Sequence, residues 1–366
     1  MKHILYFFLI PLIIFGCEEE KEVLEEVTPG WEEPIKFSKM NKILLNSKVV
    51  EDELTIASAR EVNVIGSDHR IKNKVHVNFL HNIYPKPAIH KRLAMYISEL
   101  DQYQMYLYSP YYPPCDGNYG LVKAISLHEL APEDFNINSR VVFPFPKGPI
   151  GAFNENGDFL MVVQDNGKTT LCFMNFTYTE KTVSGESCID LETDVKLVSP
   201  IDVYNSNFIN FIEAIGPNFF ISLDHYPLLK VDSHGNMTET DLEFPDGFGT
   251  VKQIIELNQE LYAFTSNKTV YKSSLEGDHW ELVKEKVEKS IGFFVVDGEL
   301  CYYNVNGEFF KFDLASGEFI LLNNPGMERN TITSVSYFND KVWVTTLNGL
   351  FTKHKDDFLQ YAKKLD

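Results

Sequence analysis

The chain has 366 residues, 44% of them hydrophobic and 23% charged, with 52 Asp and Glu against 33 Lys and Arg for a formal net charge of −19. That length allows one large domain or two smaller ones, and that charge excludes nucleic acid as a general partner, because phosphate binding needs a basic footprint. The ten histidines stand singly, without the spacing of a ligand set, so neither a metal site nor a cofactor is expected.

At the N-terminus Lys2 and His3 precede an apolar run from Ile4 to Phe15, then Gly16-Cys17. A charged start followed by an apolar stretch too short to span a bilayer is the pattern of a signal peptide, here residues 1–16. The stretch Ile14-Phe15-Gly16-Cys17 resembles the lipobox of bacterial lipoproteins, although Phe15 is bulkier than that family carries. The resemblance implies cleavage before Cys17 and acylation of its thiol, which would fix the chain to a membrane through lipid alone, since no second long apolar run follows. Residues 18–33 carry eight Glu against Lys21, with a break at Pro29-Gly30, and read as a solvated tether over 17–34. Acidic residues directly after the cysteine also resemble the sorting signal of some Gram-negative outer-membrane lipoproteins. Which face of that membrane is meant is left open.

From residue 35 onward one pattern recurs: an apolar strand, a short polar turn, and a second apolar strand. The second strands open at Glu53-Leu54, Gln104-Met105, Asp158-Phe159, Asn218-Phe219, Glu260-Leu261, Glu299-Leu300 and Lys341-Val342. A period near 40 with hairpin content is the signature of four-stranded propeller blades, so residues 35–366 are expected to form an all-β domain, a β-propeller of seven blades, with six the alternative. Hairpin formers such as Asn258-Gln259, Asp297-Gly298 and Asn339-Asp340 sit between the apolar runs. The stretch Ser273-Ser274-Leu275-Glu276-Gly277-Asp278-His279-Trp280 is similar to the Asp-box of sialidase-like propellers, with Leu275 at the family's Asp position. In that family the box is a folding element, so it implies architecture and no activity.

No catalytic motif is present. His128-Glu129 opens like a zinc-protease helix, but Pro132 stands where the second His belongs. Of the cysteines, Cys172 and Cys188 flank Tyr178-Thr179-Glu180-Lys181 symmetrically; a turn there would set them face to face as a disulfide. Cys301 lies in an apolar strand and reads as core.

Two features remain as candidates for binding. From Ile65 to Met95 the chain holds Arg70, Lys72, Lys74, Lys86, Lys91 and Arg92 against Asp68. Around Pro110, Pro113 and Pro114 crowd six tyrosines, of which Tyr106 and Tyr108 are expected to pack, while Tyr111 and Tyr112, with Tyr84, are aromatic anchors of the kind that grip sugars or protein partners. Excess length at 72–92, 109–119, 131–149 and 190–207 is expected to build one rim, and loops on a rigid scaffold are where binding resides. The expected ligand site is therefore Tyr84, Lys86, Lys91, Arg92, Tyr111 and Tyr112. The functional expectation is a lipid-anchored interaction module for a glycan, peptide or envelope protein; the alternative is a polysaccharide hydrolase or lyase with carboxylates in the central channel.

Overall fold

The computed structural model describes residues 30–34, 43–77, 87–90, 93–97, 104–109, 121–126, 151–165, 168–183, 185–201, 209–224, 227–244, 249–289 and 291–362. They form seven antiparallel sheets in strict chain order. Blade 1 holds β1 (Leu44–Val50), β2 (Glu53–Ser58), β3 (Glu61–Ile65) and β4 (Ile71–His76); blade 2 holds β5 (Ala88–His90), β6 (Leu93–Ile97), β7 (Gln104–Tyr108) and β8 (Leu121–Ser126). Blade 3 holds β9 (Gly151–Phe153), β10 (Phe159–Asp165), β11 (Lys168–Val183) and β12 (Glu186–Ile201); blade 4 holds β13 (Ile209–Ile215), β14 (Asn218–Leu223), β15 (Leu229–Val231) and β16 (Met237–Glu239). Blade 5 holds β17 (Val251–Leu257), β18 (Glu260–Thr265), β19 (Val270–Ser274) and β20 (Glu281–Lys284), and blade 6 holds β21 (Phe293–Val296), β22 (Glu299–Tyr303), β23 (Phe309–Asp313) and β24 (Glu318–Leu321). Blade 7 has three strands, β25 (Ile332–Phe338), β26 (Lys341–Thr346) and β27 (Gly349–His354).

The first strands β1, β5, β9, β13, β17, β21 and β25 each neighbour the next, and β25 returns to β1. The ring is closed: this is a seven-bladed β-propeller, as the repeat predicts. The apolar residues are spent between blades. Leu160 and Phe173 of blade 3 pack with Phe219, Ile221 and Val231 of blade 4, and Leu54 and Ile56 of blade 1 pack with Trp343 and Leu350 of blade 7. Each sheet thus buries both faces on its neighbours, which is why the chain absorbs its apolar content with hardly a helix.

Turn chemistry follows the sequence. Asn258-Gln259, Asp297-Gly298 and Asn339-Asp340 all have positive φ at both positions, the turn whose twist matches a two-residue hairpin. At Asn304-Val305-Asn306-Gly307-Glu308 the Asn304 side chain accepts from the backbone N–H of Glu308 and donates to its carboxylate at 2.6 Å. Gly307 is required there: its φ is +78° and a Cβ would lie 2.3 Å from the Met327 carbonyl oxygen.

Three boundaries differ from the sequence reading. In blade 2 the second strand is Leu93–Ile97, and Gln104-Met105 opens the third, because three-residue β5 leaves the repeat almost no first strand to detect. The propeller begins earlier than residue 35: Trp31 is buried against Phe309 and Phe358, and Glu32 exchanges backbone hydrogen bonds with Thr352 at 2.9 and 2.8 Å. Residues beside Glu32 therefore stand where blade 7 lacks a fourth strand, and an apolar Trp outweighs its acidic neighbours. The third concerns the cysteines. Residue 172 stands opposite Leu197, residue 188 opposite Lys181, and Cys172 is a buried free thiol. The hairpin turns between Val183 and Glu186, where Gly185 has φ +86°, and the Thr-Tyr-Thr run at 177–179, made of strand formers, continues the ladder. Cys188 is nonetheless disulfide-bonded, to a cysteine outside the described residues.

Candidate functional site

In an antiparallel blade the turns after the first and third strands emerge on one face of the ring, here the lower, and those after the second and fourth on the other, the upper. The connections on which the expected site residues fall start from both faces. Lys91 and Arg92 fall between β5 and β6 and Tyr111 and Tyr112 between β7 and β8, both connections that leave from the lower face; Tyr84 and Lys86 precede β5, on a connection that leaves from the upper. All six lie outside the described residues, as do Cys17, Cys115 and His128. Residues 109–119 follow β7, which is the third strand of its blade and not the second.

The basic run divides too. Lys72 and Lys74 lie on β4, the outer strand of blade 1, and pair with Glu53 at 3.4 Å and Glu61 at 2.5 Å. Their charge is answered within the blade, so β4 is not the continuous anion patch that the composition suggests. Tyr96 and Tyr108 pack edge to face at 5.7 Å with Tyr106 beside them, as alternation implies.

On the upper face one network surrounds the start of the inner strands. Asn210 donates to Asp224 at 2.7 Å and accepts from Lys252 at 2.6 Å, and Lys252 pairs with Asp224 at 3.6 Å. Asn210 and Lys252 are the extra residues of β-bulges in β13 and β17, which re-aim both side chains. The period-two pattern hides such residues. The members satisfy one another and join blade 4 to blade 5, as Gln253 does between blades 5 and 6 by donating to the Phe293 carbonyl at 2.8 Å and accepting from its N–H at 3.0 Å.

Inside the ring, the described inner strands carry two carboxylates, Glu213 and Glu256. Glu213 acts on Lys48 from across the channel: burial holds the Lys48 ammonium below its ordinary pKa and Glu213 opposes that shift. The described carboxyls that are displaced go down. A hydrogen bond from His279 lowers Asp241, Tyr262 lowers Glu260, the Ala315 amide lowers Asp313 and Lys355 lowers Asp340. At Asp232 burial opposes ionisation, but hydrogen bonds from Asn236 and His234 outweigh it. A proton-donating carboxyl needs the opposite displacement, so these five are structural acceptors.

On the lower face blade 3 departs from the repeat. β10 pairs with β11 only from Lys168 to Met174, while β11 and β12 continue as an isolated ladder from Asn175↔Asp194 to Val183↔Glu186. At about 3.4 Å per residue the eight steps carry the hairpin roughly 27 Å past the end of the β10–β11 pairing, with its base held to the blade by Phe176 against Phe153. Exposed Thr177, Thr179, Lys181, Thr182, Glu192 and Asp194 line it, and Lys181 is ion-paired to Asp190. A signal was present in the sequence: 34 residues from Lys168 to Ile201 rich in Thr, Val and Leu hold a lone turn glycine, Gly185. A reading tuned to short blades passes over it.

The fold and its faces thus define a class: a closed seven-bladed propeller with one long projecting hairpin. No family model matches the sequence, and no curated protein does. Among solved structures the chain is similar to the WD40 β-propeller domain of Doa1, with TM-score 0.50 and 9% identity over 88% of this chain and 96% of that one. It is similar also to BamB from Moraxella catarrhalis, with TM-score 0.49 and 9% identity over 89% and 98%. At such identity likeness speaks for the fold and for nothing carried on it.

Proposed function

We propose that the chain is an exported lipoprotein, processed at Gly16-Cys17 and held by lipid on Cys17 to the outer membrane of a Gram-negative envelope, whose propeller is an interaction module working through its lower face. The observation that carries the binding role is the isolated β11–β12 ladder. Its base packs on the ring through Phe176 against Phe153, while Thr177, Thr179, Lys181 and Thr182 stand exposed beyond that base on a rigid scaffold. The disulfide at Cys188 supports export, since such bonds persist in oxidising compartments.

The anchor is tested by Cys17→Ala, which should abolish incorporation of radiolabelled palmitate and shift the protein out of the membrane fraction; a variant that still labels and sediments would refute it. For the binding role, a photo-crosslinking residue at Thr179 in intact cells should give adducts that the same residue at Val305 does not. Val305 is 99% exposed on the upper face. Equal adduct patterns would remove the hairpin from the reading.

A further inference from the structure

The point at which the tether joins the ring sets how the propeller sits against its membrane. β27 is the third strand of its blade and runs toward the lower face, where Lys355, just past its end, bonds Asp297 and Asp340 of two lower-face turns. Glu32 pairs antiparallel to β27, so the chain climbs away from the lower face and Gly30 enters from it. Consistent with this, Glu32 pairs with Lys341 beside a lower-face turn, and Gly30 lies against the Lys353 ammonium. Anchor and projecting hairpin therefore share one face.

We infer that the β11–β12 hairpin points toward the membrane that holds the anchor and docks an extended cationic segment of a protein in that same membrane. The orientation rests on the lipoprotein reading. Its dimensions agree: residues 18–29 span at most roughly 40 Å when extended, and the hairpin runs roughly 27 Å past the end of the β10–β11 pairing. The chemistry of the occupant follows from the ladder. Residues 175–194 hold Glu180, Glu186, Asp190, Glu192 and Asp194 against Lys181. Glu192 and Asp194 stand exposed two residues apart on β12, beyond Asp190 with its Lys181 partner, a repeat of about 6.8 Å that matches alternate side chains of another extended chain. No described strand pairs with the outer edge of β12, the edge on which an added strand would hydrogen-bond.

Two measurements test this. The lipidated protein carrying a fluorophore at Thr182→Cys or Val305→Cys is bound to phosphatidylethanolamine–phosphatidylglycerol vesicles containing a rhodamine-headgroup lipid; the native Cys172 and Cys301 are buried and label poorly. Energy transfer should be several-fold greater from position 182. Equal or reversed transfer overturns the orientation, whereas protein that never sediments with vesicles overturns the anchor reading beneath it. For docking, anisotropy of a labelled (Lys-Thr)₅ peptide with the soluble Cys17→Ala protein at low salt should show at least tenfold weaker binding on Glu192→Lys/Asp194→Lys. The control Glu285→Lys/Glu288→Lys makes the same charge change on exposed residues after β20 and should alter binding less than twofold. Equal losses would mean that net charge alone is felt, and a wild-type protein that does not bind the peptide would refute the docking.

Discussion

Replacing Trp31 by Ala removes the side chain with which the N-terminal segment seals blade 7. Trp31 is 4% exposed, its ring lies 5.7 Å from Phe309 and 6.2 Å from Phe358, and the Lys353 ammonium sits 5.7 Å from its centroid. Truncation of a buried Trp costs about 3–5 kcal/mol. Here the indole N–H has no hydrogen-bond partner, so no hydrogen bond is lost with the ring and the cost falls at the lower end, about 3–4 kcal/mol. The backbone bonds of Glu32 with Thr352 are too few to hold the strand without it, so the variant should unfold at lower urea, with the loss read from the shift in midpoint. Trp31→Phe should recover most of the loss, because packing and not hydrogen bonding is at stake. Glu32→Ala, which removes an ion pair whose carboxylate side chain is 69% exposed, should cost under about 1 kcal/mol. If Trp31→Ala stayed within about 1 kcal/mol of wild type, residues 30–34 would not close the ring.

Peptide mapping of the unfolded protein without reductant should find Cys172 and Cys301 free and Cys188 bonded; buried in apolar surroundings, both free thiols are pushed up to about 12 and should resist alkylation until unfolding. Gln253→Ala should cost about 1–3 kcal/mol by orphaning the Phe293 N–H and carbonyl, and hydrogen exchange at the Phe293 amide should quicken; unchanged exchange would deny the clamp between blades 5 and 6. His279 donates to Asp241 at 2.7 Å, which raises its pKa above 6.5, and Asp241→Asn should return it in an NMR titration. The sign of the pH effect follows: the raised histidine contributes fully below its unfolded pKa and loses that contribution as pH rises through the folded value. The depressed Asp241 contributes above its unfolded pKa and ceases to as pH falls.

What the sequence determined by itself is local and periodic. A two-residue hairpin needs positive φ at both turn positions, so Asn339-Asp340 and Asp297-Gly298 announce their strands, and a recurrence of such hairpins near 40 residues admits blades and little else. Cys301 could be placed in the core for the same reason: its neighbours are apolar in a short strand. Tertiary structure decided whatever depends on which strand a turn follows. The connections that hold Tyr84 and Tyr111 start from strand ends on opposite faces, because the direction of a strand is set by its rank in the blade, and three-residue β5 conceals that rank. Cys172 and Cys188 are symmetric about a polar tetrapeptide, but register is fixed by the turn that pairs best, and Gly185 moved it by several residues. Trp31, amid glutamates, reads as tether until a three-stranded blade offers its open edge, since burial is a property of the partner surface as much as of the residue.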